Sequence, residues 1–284
     1  MFDAILIPTD GSRAAEHAGT VAIELAGGIG AAVHVVTVTE PTDLDVDLEE
    51  VQHEELVAAS VTLGGDPTSS IAEAAADAGV PVSTATLDGL AHVAIAEYAA
   101  AHDIDLVIMG THGHAETRLG STTERVLLMA DQPVLAVPFR TDDAADADDR
   151  IVMATDGSDL AAEAAAVGFE LATATGDAVS VCYVLDTTIY HLEDAPRSII
   201  GLLETGGRNA VDALAVEGRE QGLSVQTEVR RGSPAEEIVA FAEAVDARLL
   251  VLGSRGRGGI EDRFLGSTAA RVLRRAPRPI LVVP

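Results

Sequence analysis

The sequence predicts two tandem doubly wound α/β domains, each a five-stranded parallel sheet with helices on both faces. Three observations carry this. The chain repeats itself at an offset of 146 residues: Ile7–Ser12 (IPTDGS) returns as Met153–Ser158 (MATDGS), and Gly120-Ser121-Thr122 as Gly266-Ser267-Thr268. Glu24-Leu25-Ala26 likewise matches Glu170-Leu171-Ala172, and Pro133-Val134-Leu135 matches Pro279-Ile280-Leu281; only the middle slips, Met109-Gly110 aligning with Leu252-Gly253 at 143. A self-match this long is a duplicated domain, since solenoid repeats have periods of roughly 20–50 residues. Each half also alternates short, continuous apolar runs with helical stretches, the pattern of a parallel sheet covered on both faces. Finally, 284 residues suit two domains of ordinary size.

In repeat one, Ala4–Pro8 reads as a buried strand and Asp10-Gly11-Ser12 as a turn. Ser12 is an N-cap candidate for a helix over Arg13–Ala26, which the Gly27-Gly28-Ile29-Gly30 cluster should end. Ala32–Val38 is a second strand, rich in valine. Polar Glu40–Asp47 leads to a helix of open limits, then Val80–Thr86 is a third strand. Leu90–His102 is a helix, Leu106–Met109 a strand, Gly110–Gly120 a loop, Thr122–Ala130 a helix and Val134–Val137 a strand. Repeat two has strands near Ile151–Ala154, Ala178–Val184, Ser224–Val229, Leu249–Leu252 and Ile280–Val283. The acidic run Arg140–Asp149 is a natural linker, dividing the chain into 1–139, 140–149 and 150–284.

Only eight residues are aromatic, so packing must rest on Ala, Val, Leu and Ile. No apolar run approaches the roughly 20 residues of a membrane span, and the N-terminus lacks the basic region of a signal peptide. A soluble cytoplasmic protein is the expectation. The single cysteine, Cys182, excludes an intrachain disulfide and reads as a small buried hydrophobe.

Charge is more informative. The net charge is −28, and all 18 basic residues are arginine. A lysine-free, acid-rich surface suits a cell interior of very high salt, where counterions screen carboxylate repulsion. We therefore expect a halophilic protein that loses structure at low salt. Such a charge argues against duplex nucleic acid as a partner. The missing lysine excludes a Walker A loop and protein-kinase chemistry. A G-x-G-x-x-G dinucleotide loop is also absent, because IPTDGS follows the first strand. The charge is unevenly shared. Repeat one carries 3 arginines and 22 acids, repeat two 14 arginines and 19 acids. Repeat two is the better host for a polyanion.

Ligands of open parallel α/β sheets bind outside the carboxyl ends of the strands. Asp10 and Asp156 close the first strand of each repeat there, and Val38 and Val184 the second. In repeat two, Gly253-Ser254-Arg255-Gly256 is followed nine residues later by Gly266-Ser267-Thr268. Gly253 and Gly256 should permit close backbone approach and positive φ. Gly266-Ser267-Thr268 opens a helix whose free N–H groups attract phosphate, and Arg255, Arg257 and Arg263 add planar cations.

These motifs resemble the universal stress protein family. They are G-x2-G-x9-G-[S/T] after strand four, an Asp closing strand one in a [P/A]-T-D-x-S context, and a terminal P-[V/I]-L-x-V-P strand. The resemblance covers both repeats. It implies binding of ATP or another adenine nucleotide, with Mg2+ as a companion ion. Ala154, Thr155, Asp156 and Val184 would hold the adenosine end. Gly253, Ser254, Arg255, Gly256, Arg257, Gly266, Ser267 and Thr268 would hold ribose and phosphates. Repeat one offers a weaker set in Pro8, Asp10, Val38, Gly110, Gly113, Gly120, Ser121 and Thr122. Its loop is three residues shorter, His112 and His114 replace Arg255 and Arg257, and Glu116 adds negative charge. The resemblance also implies pairing of the two domains through their last strands, an intramolecular pseudo-dimer, with a homodimer of chains left open.

Plainer roles stand beside these. Asp10 and Asp156 suit turn-forming residues before a helix, and His112-x-His114 a solvated loop rather than half a metal site. Asp43–Glu55, with seven acids, reads as a solvated face rather than a calcium loop. Arg271, Arg274 and Arg275 suit the dipole of the last helix. The expected function is an ATP-binding stress-response module. No Ser–His pairing, catalytic cysteine or metal spacing argues for an efficient enzyme. The alternatives are a slow ATP hydrolase and a nucleotide-free dimeric interaction module of the same family.

Overall fold

In the computed structural model, residues 2–40, 65–111, 119–139, 148–190, 197–256 and 264–284 are described. Repeat one runs β1 (Ala4–Pro8), α1 (Arg13–Ile29), β2 (Ala32–Thr39), α2 (Ser69–Asp77), β3 (Val82–Asp88), α3 (Ala91–Ala101), β4 (Leu106–Gly110), α4 (Ser121–Met129) and β5 (Val134–Val137). Repeat two runs β6 (Asp148–Thr155), α5 (Asp159–Thr175), β7 (Ala178–Asp186), the short α6 (Thr187–Tyr190), α7 (Arg197–Glu220), β8 (Val225–Gly232), α8 (Pro234–Ala244), β9 (Ala247–Gly253), α9 (Ser267–Arg275) and β10 (Ile280–Val283).

All strands join one sheet in the order β3-β2-β1-β4-β5-β10-β9-β6-β7-β8. Within each repeat the pairs are parallel. At the seam β5 meets β10 antiparallel, with Val134 opposite Val282, Leu135 opposite Leu281 and Ala136 opposite Ile280. Leu135 and Leu281 are repeat equivalents, so the pseudo-two-fold axis passes between them. The edge that each domain would expose is consumed by the other, which removes a pairing liability.

Side chains on the two faces of this sheet form two cores that cross the seam. Leu135, Val137, Leu281 and Val283 pack with Ala18, Ala22, Ala164 and Ala172 of α1 and α5 on one face. Val134, Ala136, Ile280 and Val282 pack with Ile95, Val126, Ile238 and Val272 on the other. With few aromatics, the helices come close instead. At Gly19 a Cβ would lie 2.8 Å from Ile71 Cδ1, and at Gly168 one would lie 2.7 Å from Met153 Cε.

Local signals were overridden in two places. The glycine cluster after Ala26 does not end α1, which continues through Gly27 and Gly28 to Ile29. Each interior glycine costs about 1 kcal/mol relative to alanine, but Ile29 still packs against the core. Gly30 alone stops the helix, at φ 78°. Strand β3 starts at Val82 rather than Val80, because the Val80 N–H is spent closing α2 onto the Ala75 carbonyl, 2.9 Å away. Strand β6 opens at Asp148, inside the acidic run between the repeats.

Candidate functional site

The first strand of each repeat ends in the same turn. Asp10 Oδ1 accepts the Ser12 N–H at 3.0 Å and Ser12 Oγ accepts the Ala15 N–H at 3.3 Å. In repeat two, Asp156 Oδ1 accepts from Ser158 N at 3.0 Å and from Ser158 Oγ at 2.6 Å, and Ser158 Oγ caps Ala161 N at 3.2 Å. Gly11 and Gly157 sit at φ 73° and 76°, which lets the chain reverse from strand into helix. Each Asp is therefore a turn former, as its plainer role suggests, and the turn fixes its carboxylate at the carboxyl edge of the sheet. Register adds the neighbours: Ala154 pairs with Cys182 and Met153 with Val251, so Asp156 ends beside Val184 and Thr155 beside Gly253.

The glycine loops close identically despite their different lengths. In repeat one the Thr111 N–H donates to Val137 O at 2.9 Å, and Gly120 N donates to Thr111 O at 2.7 Å. In repeat two Ser254 N donates to Val283 O at 2.6 Å, and Gly266 N donates to Ser254 O at 2.7 Å. The three extra residues of repeat two thus lie between two conserved closure points. Gly120 and Gly266 are the N-caps of α4 and α9, neither with a side-chain cap bond. The first N–H groups of these helices are available to a ligand.

The reason for the repeat-two glycines differs from the expectation. Neither Gly253 nor Gly256 has positive φ. A Cβ at Gly256 would lie 2.5 Å from Asp156 Oδ2, and one at Gly253 3.3 Å from the Leu160 carbonyl oxygen. Close approach rather than handedness favours glycine here, most strongly at Gly256. Gly266 behaves alike, with Ser254 O at 3.2 Å from an added Cβ.

In repeat one these elements enclose a cavity of about 450 Å³. Pro8, Asp10, Val38, Gly110, Gly120, Ser121 and Thr122, all expected from sequence, line it. So do Thr9, Ser12, Val36, Ile95, Met109 and Leu119, which motif reading missed. Ile95 and Met109 correspond to Ile238 and Leu252 of repeat two, apolar positions that carry no motif of their own. Gly113, His112, His114 and Glu116 lie outside the described residues, as do Arg257, Arg263 and the acidic Asp43–Glu55 run. In repeat two, Ala154, Val184 and Leu265 pack against the core cluster that holds Ile238 and Leu252. Ser254 and Arg255 also line a narrow cleft of about 70 Å³ between the repeats, with Leu127, Leu128, Asp131 and Phe264.

Of the fourteen arginines of repeat two, five are committed to ion pairs among the described residues. Arg230 pairs with Glu237 at 2.8 Å and Arg275 with Glu236 at 2.8 Å. Arg231 pairs with Glu204, Arg248 with Asp177 and Arg278 with Asp246. Arg275 is therefore an ion-pair partner as well as a last-turn cation of α9. What distinguishes the pockets is local. Helix α4 has Glu124 in its first turn, whereas the first turn of α9 has no acid, Ala270 standing at the equivalent place.

Other titratable groups stay apart from this chemistry. Burial pushes the Cys182 thiol up to about 12, so it is unreactive as well as enclosed. His34, with Nδ1 3.1 Å from Tyr98 Oη, is held below the usual histidine range by burial and then by His102. Among the described residues no helix is long and apolar enough to cross a membrane.

Comparison with known proteins agrees with this geometry. The profile of the universal stress protein family matches residues 1–138 and again 149–284. A universal stress protein of Methanocaldococcus jannaschii is 38% identical over 137 residues, 47% of this chain and 81% of that protein. One of Thermus aquaticus is 35% identical over 137 residues, covering 47% of this chain and 96% of its own length. The crystal structure of a universal stress protein from Archaeoglobus fulgidus superposes with a TM-score of 0.71 over 99% of this chain and 96% of that one. At 24% identity that likeness concerns the fold.

Proposed function

Because the chain belongs to the universal stress protein family, we propose that it is an adenine-nucleotide-binding regulatory protein whose principal site lies in repeat two. The ligand is ATP. The observation that carries this reading is the close backbone approach between Asp156 and the loop, where a Cβ at Gly256 would lie 2.5 Å from Asp156 Oδ2 and one at Gly253 or Gly266 would lie 3.2 Å from a backbone carbonyl oxygen. A nucleotide held there would set its adenosine end against Ala154, Thr155, Asp156 and Val184. Its phosphates would meet the N–H groups opening α9 at Ser267 and Thr268, with Gly266, whose own N–H closes the loop on Ser254 O, and Ser254, Arg255 and Arg257 alongside. Helix N-termini and arginine forks both favour phosphate oxygens.

Magnesium enters with the phosphates in this reading. Among the described residues no cluster of three or more His, Cys, Asp or Glu side chains stands ready to hold a metal alone. The proposed chemistry is binding, with ATP hydrolysis at most slow. The cytoplasm is the proposed compartment.

Mass spectrometry of the denatured, purified protein tests this directly, by the nucleotide released. A titration with ATP at high salt supplies the affinity. A chain that carries no nucleotide and takes up none would instead be an interaction module. Any ATP turnover that survives both Asp156→Ala and Gly256→Ala belongs to a contaminant.

A further inference from the structure

Helix α7 (Arg197–Glu220) covers the outer end of repeat two, packed on β7 and β8. Its inner face is core, with Val211, Leu214 and Ala215 buried. Its outer face is unusual. Of the five large apolar side chains exposed among the described residues, three lie on this helix: Ile199 (49% exposed), Leu202 (73%) and Val216 (53%). They belong to one stripe, Ile199, Leu202, Gly206, Asn209, Ala213 and Val216, all exposed and spaced by alternating steps of three and four. That spacing is the seam by which two helices pair. The glycines of α7 point the same way. A Cβ at Gly207 would lie 2.5 Å from Tyr183 Cδ1 and one at Gly218 2.8 Å from Phe169 Cε1, so packing inside the domain accounts for both. At Gly201 and Gly206 an added Cβ would meet nothing within 4 Å, and neither has positive φ. Glycine in an exposed helix interior costs stability, and this domain's own packing gives no return for it. Close approach of a second helix does.

We infer that α7 is the docking face for a second copy of this chain, the two helices pairing antiparallel about a two-fold axis between Gly206 and Asn209. A two-fold interface must be complementary to itself, and this stripe is. The antiparallel arrangement sets Gly206 opposite Asn209, Leu202 opposite Ala213 and Ile199 opposite Val216. Helices that cross at an angle are closest at the crossing and diverge toward their ends. Small residues stand at the centre of the stripe and the bulky Ile199, Leu202 and Val216 toward its ends, where the gap widens. Charge fits as well. Arg208 and Asp212 share one flank of the stripe, and neither has an ion-pair partner among the described residues. The two-fold axis brings each Arg208 toward Asp212 of the second copy, and both side chains lean into that gap because helical side chains point toward their own N-terminus. The helix carries three arginines against four acids, a nearly neutral surface in a chain of net charge −28. The β5–β10 seam lies at the middle of the sheet and β8 at its end, so the two pairings do not compete.

The test is sedimentation equilibrium of the full chain at high salt, where the expected species is a dimer of the 29.2 kDa chain. Leu202→Glu should raise the dissociation constant by about a hundredfold, because pairing would bury an unpaired carboxylate from each copy. Leu202 is exposed in the single chain, so circular dichroism and melting temperature should hardly change. Asp212→Arg should weaken the dimer by roughly tenfold by setting like charges together, and adding Arg208→Asp should restore it. Register has its own test. Cys182 is the one native cysteine and is buried, so Leu202→Cys with Ala213→Cys introduces the accessible thiols. Mild oxidation should link two copies of that double variant covalently and leave either single variant unlinked. A chain that stays monomeric as its concentration is raised overturns the inference and leaves the face to a different protein. A dimer that survives Leu202→Glu overturns it too, by placing the contact elsewhere. A dimer in which the charge exchange fails to restore affinity and the double variant fails to link overturns the antiparallel pairing.

Discussion

The two repeats build the same frame and furnish it differently. Both end β1 or β6 in an Asp-Gly-Ser turn, and both close the glycine loop on a Thr111 or Ser254 carbonyl. Repeat one has a short loop, an acid in the first turn of α4 and a net charge of −19, against −5 for repeat two. The two repeats therefore share a backbone frame and differ in the charge set around it.

The comparison breaks most sharply at the loop glycines. Gly256→Val would drive a side chain into Asp156, because even a Cβ there lies 2.5 Å from Oδ2. ATP affinity measured by calorimetry should fall by at least a hundredfold, with the circular dichroism of the fold retained. Gly113→Val should leave ATP affinity near its starting value. Equal losses would remove the asymmetry.

A next test is of charge. Each charge-assisted contact to phosphate is worth about 1.5–3 kcal/mol. Replacing both Arg255 and Arg257 by alanine should therefore weaken ATP by roughly a hundredfold to ten-thousandfold and adenosine hardly at all. Matching losses for the two ligands would mean that the loop is no phosphate site.

The turns allow the frame to be separated from the site. Asp10→Ala and Asp156→Ala each remove an acceptor for the following serine, and each should cost about 1 kcal/mol of stability. In a denaturant melt the two should look alike. Only Asp156→Ala should also reduce ATP affinity, and a comparable effect from Asp10→Ala would assign ATP to both pockets.

Low salt sharpens the contrast through stability. Carboxylate self-repulsion is screened by salt and grows on dilution. The melting temperature should fall as ionic strength is lowered, with the more acidic repeat one losing amide-exchange protection first. A melting temperature independent of salt would argue against a halophilic adaptation. The smallest effect concerns the seam: repeats expressed separately at high salt should self-associate through β5 or β10, and sedimentation of strict monomers would count against the pairing in solution.

Much of this molecule was legible in the sequence because its signals are local or repeated. The offset of 146 showed the duplication, apolar runs placed the strands, and the Pro-flanked final strands indicated the seam. Seven of the eight repeat-one residues expected at a site do meet around one cavity, because strand ends and helix starts fix their positions in the topology. What local pattern misjudged was decided by packing. Helix α1 runs through Gly27 and Gly28 because Ile29 has a core to join, a long-range gain that outweighs propensity. Counting arginines in repeat two does not by itself give the charge available at its loop. Arg230, Arg231, Arg248, Arg275 and Arg278 are held by carboxylates distant in sequence, and only folding reveals those partners. Likewise Gly256 is favoured by the closeness of Asp156, 100 residues earlier, rather than by its own φ. Periodicity and spacing describe what neighbours along the chain can do. Steric room and the partner of a charge depend on neighbours through space, and these the tertiary structure alone decided.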